Sequence, residues 1–393
     1  MMTKRTFILL FIILIAAIFG YYWLEWRSLQ NFVTSIDHGD ILFGDLVDFY
    51  HPMAKVIFTE KLPVKGYYYS AFFALLISPL GSLTIEQAQW IWGTLQFILA
   101  GLVIWVASFK MLELPRPQKL LFLFLFLTSF PLLHNFKWGQ ISVLMTLCIF
   151  ASVCLYQQDR PILSALVLAF AVSIKYYPII FLAYPLLKRD FRFLTVFGIS
   201  ALTFYAVIPS FALGPQAWIG FEKAVAQLIT DAKFTGDVNS QYFGHVILRS
   251  LPFDDAPFKQ KVASILLQFA GGIVFLANLG LIWLVQKKQM KDALVISTGL
   301  LFLSLPFIIQ TSWSHYFVYL PFLQIALIHL LGAESKPALG LVIASCAASS
   351  ILIFNLFPSW SEYNNAGMLF TANSLLLIVI YLRLWNGIKK SAD

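Results

Sequence analysis

The acids and bases of this chain gather in a few short polar stretches. The richest, residues 37–69, reads DHGDILFGDLVDFYHPMAKVIFTEKLPVKGYYY and carries four aspartates, two histidines and three lysines. A carboxylate held beside an apolar cavity can take a proton from a reacting group. Asp37, Asp40, Asp45 and Asp48 all qualify by type. Residues 46–58 read as a short amphipathic helix on a membrane surface, with Leu46, Tyr50, Met53 and Ile57 on one face. Asp45 stands where an N-cap would be, and Asp48 three residues later where a capping-box acid would. Capping is the commoner duty of such acids, and spacing alone does not separate the four.

Two further polar stretches sit at chain reversals. Lys137-Trp138-Gly139-Gln140 turns one hairpin, and Ile174-Lys175-Tyr176-Tyr177-Pro178 turns the next. Pro178 cannot continue a helix and disposes Tyr177 to an extended conformation, so a break is expected there. A lysine at such a break is costly near membrane depth unless it is paired or functional. Its two readings are a snorkelling side chain and a cation that holds a phosphate. The loop 213–260 carries Trp218, Phe221, Val225 and Leu228 at helical spacing, then Asn239-Ser240-Gln241 and, further on, Arg249. Amides followed by an arginine suit a hydroxylated, anionic ligand, and suit a solvated loop as well. Trp313-Ser314-His315-Tyr316 follows Pro306; a histidine there can orient a carboxylate or relay a proton, or be an ordinary hydrogen-bonded one.

The remainder of the chain must position these groups. It has 393 residues, 60% of them hydrophobic and 12% charged, with a mean hydropathy of +0.80. Apolar runs recur at the length that crosses a hydrocarbon layer of roughly 30 Å. Backbone groups in lipid need internal partners, so the spans are expected to be helices. The expected fold class is all-α: a single polytopic transmembrane helix bundle over 1–393. Twelve spans are placed at 6–24, 87–109, 119–134, 140–157, 161–174, 177–187, 192–212, 261–286, 292–309, 317–332, 337–357 and 366–386. The run 67–83, interrupted by Pro79 and Gly81, is read as a hairpin or re-entrant piece.

Charge sets the orientation. With that register most Lys and Arg residues fall on the side holding both termini, and most acids on the other. The positive-inside rule then puts the termini in the cytoplasm and the long polar connections outside, including the loops 25–66 and 213–260. The net charge of +8 is thus a topology signal, and no nucleic-acid partner is expected. Cys148, Cys154 and Cys346 lie inside apolar runs and read as small core residues. No histidine or cysteine spacing marks a metal site.

Taken in order, Asp48-Phe49-Tyr50, Tyr68-Tyr69, Ser78-Pro79-Leu80, Gly139-Gln140, Lys175-x-Tyr177-Pro178, 239–249 and Ser312-Trp313-Ser314-His315 resemble the family 87 glycosyltransferases. These are polyprenol-phosphate-mannose-dependent mannosyltransferases of the GT-C membrane fold. Two motifs depart from the family form: Tyr-Pro-Pro is here Tyr68-Tyr69-Ser70, and Asn-Gln-Ser is here Asn239-Ser240-Gln241.

The resemblance implies an enzyme of the cytoplasmic membrane that takes a sugar, mannose first, from a polyprenyl-phosphate donor. It would pass that sugar, with inversion, to a lipid or glycan acceptor on the outer face. It assigns the base to Asp48 and a catalytic role to His315. Lys175, then Lys137 and Arg249, are the candidates to hold the donor phosphate. Tyr50, Tyr69, Gln140, Tyr177, Asn239, Gln241 and Trp313 are expected to line the substrate site, with no cofactor. Two rival readings are a transporter or flippase for a lipid-linked saccharide and a non-catalytic subunit of an envelope-polysaccharide assembly system. Transporters place charge near the bilayer midplane, whereas these charges cluster at the ends of spans.

Overall fold

The computed structural model describes residues 42–231, 238–251, 257–290, 292–331 and 336–390. The expected first span 6–24, together with Asp37 and Asp40, lies outside them. The described residues are helical, apart from turns and two isolated bridges. Five helices are long and apolar enough to cross a membrane: Ile85–Met111, Phe191–Leu213, Lys261–Lys287, Ser314–Leu331 and Trp360–Trp385. Others expected as spans are shorter, among them Ser142–Gln157, Pro161–Ile174, Ala293–Ile308 and Lys336–Ala348.

Among the described residues, two of the expected spans are interrupted by breaks. The expected span 119–134 divides into Arg116–Leu127 and Phe130–Trp138. The expected span 337–357 divides into Lys336–Ala348 and Ile351–Phe354. The two breaks lie side by side. Ser129 and Ser350 form an antiparallel bridge, Phe130 N–H donates to Ser349 O at 2.8 Å, and Ile351 N–H donates to Thr128 O at 2.9 Å. Each break thus satisfies backbone groups that the other frees, as the interior of a membrane protein demands.

The first-loop helix forms as its pattern predicts. Leu46, Tyr50, Met53 and Ile57 are all buried, and Phe58 is exposed. Its winding is unusual: Leu46–Tyr50 is a π turn leading into an α-helix over His51–Val56. The run after it is a short helix, Ala71–Ile77, capped by Ser70 and ending in a 3-10 turn over Ser78–Ser82. That turn packs directly on the first-loop helix. A Cβ on Gly81 would lie 2.5 Å from Ala54 O, so only glycine permits the approach. His51 Nε2 adds a contact of 3.1 Å to Leu83 O.

The break after Pro161–Ile174 is present, but its extended residue is Lys175 (φ −139°, ψ 131°) rather than Tyr177. Tyr177 opens a 3-10 turn with Pro178 near its start, where a missing N–H costs nothing. The amphipathic piece of the later loop is the helix Pro215–Asp231, with Phe221 and Val225 buried.

Candidate active site

The loops and breaks converge on one cavity of about 290 Å³, close to the usual lower size for a ligand site. Its walls include Asp45, Tyr69, His134, Trp138, Gln140, Lys175, Tyr176, Glu222, Asn239, Trp313, His315 and Tyr316. Phe49, Val172, Val225 and Ile229 supply apolar lining.

The polar floor is built at the turn after Phe130–Trp138. Gly139 ends that helix in the left-handed region at φ +65°, a conformation that favours glycine. Here space adds to the preference, because a Cβ would meet Phe43 Cβ at 3.0 Å. Trp92 Nε1 donates to Gly139 O at 2.8 Å, and Gln96 Nε2 donates to Gln140 O at 2.8 Å. With its backbone held, Gln140 uses both ends of its side chain. Oε1 accepts from the Tyr69 hydroxyl at 2.8 Å, and Nε2 donates to Asp45 Oδ2.

Asp45 is therefore not an N-cap. Its backbone is already helical and its side chain makes no capping bond. The carboxylate faces Gln140 and the cavity instead. Burial pushes it up to about 7, against the pull of Lys175 and with a further push from the charge of Asp48. Asp48, the base implied by the resemblance, is exposed and outside the lining.

Lys175 is buried beside the same floor. Its Nζ donates to the Tyr69 hydroxyl at 3.4 Å and lies 4.2 Å from the Tyr316 ring centroid. Among the described residues the one ion pair within 4.0 Å is Arg383–Asp292, so Lys175 has no carboxylate in contact. Burial brings its ammonium down to about 7, with Asp45 opposing. Its contacts are a phenol and a ring face, with Asp45 acting on it from beyond contact distance.

The opposite wall comes from 239–241 and 312–316. Ser240 and Trp313 form an antiparallel bridge, and Gln241 N–H donates to Ser312 O at 2.8 Å. The two motifs read separately in the sequence are one structural piece. His315 and His134 stack with ring centroids 5.6 Å apart at 23°. His134 Nε2 lies 3.3 Å from Asn239 Oδ1. The helix Pro215–Asp231 contributes Glu222, which accepts from Ala71 N–H at 2.9 Å and from the Tyr205 hydroxyl at 2.5 Å.

Of the expected residues, Tyr69, Gln140, Lys175, Asn239, Trp313 and His315 line the cavity. Asp48, Lys137, Arg249, Tyr50, Tyr177 and Gln241 do not, and most have evident other work. Tyr50 donates its hydroxyl to Tyr69 at 2.9 Å. Tyr177 packs on Tyr316 with centroids 4.9 Å apart. Gln241 Nε2 donates to Asn364 O at 2.9 Å, and Arg249 Nη2 donates to Ser240 O at 2.9 Å and Asn364 O at 3.3 Å. Lys137 is buried, and its own carbonyl accepts from Phe43 N–H at 2.8 Å. His134 and Glu222 were not singled out by the sequence, and Trp138 entered it only as part of the turn 137–140. His134 and Trp138 are four residues apart on one helix, a spacing that puts them on one side. Among the described residues no three His, Cys, Asp or Glu side chains are grouped to hold a metal ion.

The described residues thus gather a carboxylate, a lysine and a stacked pair of histidines around one cavity in a bundle of apolar helices. Glycosyltransferase family 87 matches residues 67–311, more than half of the chain, and the chain belongs to that family. The matched span holds Tyr69, Gln140, Lys175 and Asn239; Asp45 and His315 lie outside it. No curated protein and no solved structure matches the chain.

Proposed function

We propose that this family 87 glycosyltransferase moves a sugar, mannose in the first instance, from a polyprenyl-phosphate donor to a lipid or glycan acceptor. The reaction inverts the anomeric centre and takes place on the outer face of the cytoplasmic membrane, with both termini inside. Asp45 replaces Asp48 as the base. The observation that carries this reading is that Asp45 and Lys175 share one cavity, the first held by Gln140 and the second with no contacting carboxylate among the described residues.

The chemistry follows from those two groups. The acceptor hydroxyl attacks the anomeric carbon, and its proton passes to the Asp45 carboxylate. On the opposite side of the sugar the bond to the phosphate oxygen breaks, and its electron pair leaves with the phosphate. Lys175 stabilises that growing charge from a preset position. Tyr69 links the two, bonded to Gln140 at 2.8 Å and to Lys175 at 3.4 Å. Val172, Val225, Ile229 and the half-exposed Tyr205 give the prenyl chain an apolar margin.

The test is direct. Purified protein is incubated with radiolabelled polyprenyl-phosphate sugars and membrane lipid extract. Transfer by the wild type that Asp45→Asn abolishes supports the reading, and undiminished transfer by Asp45→Asn removes Asp45 as base.

A further inference from the structure

We propose that the stacked pair His134 and His315 is a subsite for the hydroxyls of a hexose ring, in which His134 Nδ1 accepts a hydrogen bond from one ring hydroxyl. This rests on the glycosyltransferase reading and adds to it the part of the cavity that reads the sugar.

Unsatisfied atoms carry the inference. His134 and His315 are 1% and 2% exposed, and both line the cavity. His134 Nδ1, both ring nitrogens of His315 and Trp138 Nε1 are buried without a hydrogen-bond partner. Buried polar atoms are seldom left so unless a ligand or water completes them. Here four stand around one cavity.

Their donor and acceptor character selects the ligand. Asn239 presents its Oδ1 to His134 Nε2 at 3.3 Å, so Nε2 is the protonated nitrogen and Nδ1 carries a bare lone pair. A lone pair can be completed only by a donor. A fully ionised phosphate has none, so it could engage Trp138 Nε1–H but would leave His134 Nδ1 empty. A hydroxyl both donates and accepts. As a neutral imidazole His315 also offers one N–H and one bare nitrogen, so two donors and two acceptors stand unpaired on residues of the cavity wall. That mixture fits a polyol, while Lys175 keeps the anionic end. Trp360 stacks on His134 with centroids 6.5 Å apart at 13°, which fixes the ring plane.

The hexose can come from the donor sugar or from a glycan acceptor, and probe binding separates the two. The full chain in lipid nanodiscs is titrated with decyl phosphate, decyl phosphomannose, and decyl mannoside, glucoside and galactoside. His134→Phe keeps the stacked ring and removes both nitrogens. It is expected to weaken the sugar-bearing probes about tenfold, the worth of one hydrogen bond of middling strength, while decyl phosphate binds as before. Loss confined to phosphomannose assigns the subsite to the donor sugar, and loss confined to a glycoside assigns it to the acceptor; either supports the proposal.

Asn239→Leu, which removes the oxygen that faces His134 Nε2, should lose affinity for the sugar-bearing probes as His134→Phe does. Unchanged affinity for every sugar probe in His134→Phe overturns the proposal, as does an equal loss of decyl phosphate. Failure of the wild type to bind any sugar probe overturns it as well. A wild type that ignores decyl phosphate yet binds a glycoside through His134 would keep this subsite and remove the phosphate-donor reading.

Discussion

The carboxylate of Asp45 accepts a hydrogen bond from the side-chain amide of Gln140, 95 residues further along the chain. That bond fastens the first-loop helix to the turn after Phe130–Trp138 and points the acid into the cavity. Asp48, one turn on, points away. This one contact separates the two neighbouring acids, since Asp45 has it and lines the cavity while Asp48 is exposed outside the lining.

Asn substitutions at the two positions should behave very differently. A general base contributes about 10²- to 10⁴-fold, so Asp45→Asn should lower kcat by that order. Asp48→Asn should stay within about twofold at the optimum, as surface changes usually do. It should also move the acid side of the pH profile to lower pH, because the charge of Asp48 helps raise Asp45. Steady-state rates across pH decide both points.

The rate should form a narrow bell near neutral pH. Asp45, raised to about 7, must lose its proton to act, so activity grows as pH rises through that value. Lys175, lowered to about 7, must keep its proton to hold phosphate, so activity falls as pH climbs past it. Lys175→Arg, charged at every accessible pH, should extend the alkaline side. The same groups act on stability in opposite senses. A raised acid favours the folded chain at low pH and ceases to as pH passes about 7; a lowered lysine favours it at high pH and ceases to as pH drops through about 7.

Gln140→Leu should leave Asp45 in the cavity without its hydrogen-bond donor. That donor favours the charged form, so its loss should shift the acid limb to higher pH and cut kcat about tenfold. A purely structural role would lower the amount of folded protein and leave the limb where it is. The pH profile of the purified variant distinguishes the two.

Gly139→Ala should destabilise the site more than the fold. It places a side chain at φ +65°, which costs about 1 kcal/mol, and sets its Cβ against Phe43. A drop of a few degrees in Tm with a disproportionate loss of transfer is the expected result. Equal loss of both would mean the turn supports the bundle generally.

For orientation, Glu60→Cys offers an exposed thiol on the first loop, while Cys148 and Cys154 are buried. Labelling of intact cells by an impermeant reagent is expected; labelling only after lysis would invert the assignment.

Much of the site was legible because breaks announce themselves. Gly139 and Pro178 mark the turns that deliver Gln140 and Lys175, and the Trp313-to-Tyr316 motif lies between apolar runs. The choice between Asp45 and Asp48 was not legible. The π turn over Leu46–Tyr50 changes the angular relation of the two acids, and no residue pattern signals it. His134 was hidden for a related reason. The apolar run 119–134 reads as one span, but it breaks at Thr128-Ser129, where its backbone finds partners in Ser349 and Ile351. Pro131 hints at that break; the sequence around 350 has neither proline nor glycine to betray its counterpart.

That exchange of backbone bonds also sets an order of assembly. The helix carrying His134 begins at a residue whose amide is satisfied only by Ser349, far later in synthesis. Contacts so distant form late, after closure of a very long loop. A nascent chain can therefore insert most of its apolar segments and still lack the finished wall that carries His134, so activity should be born only as the last helices arrive.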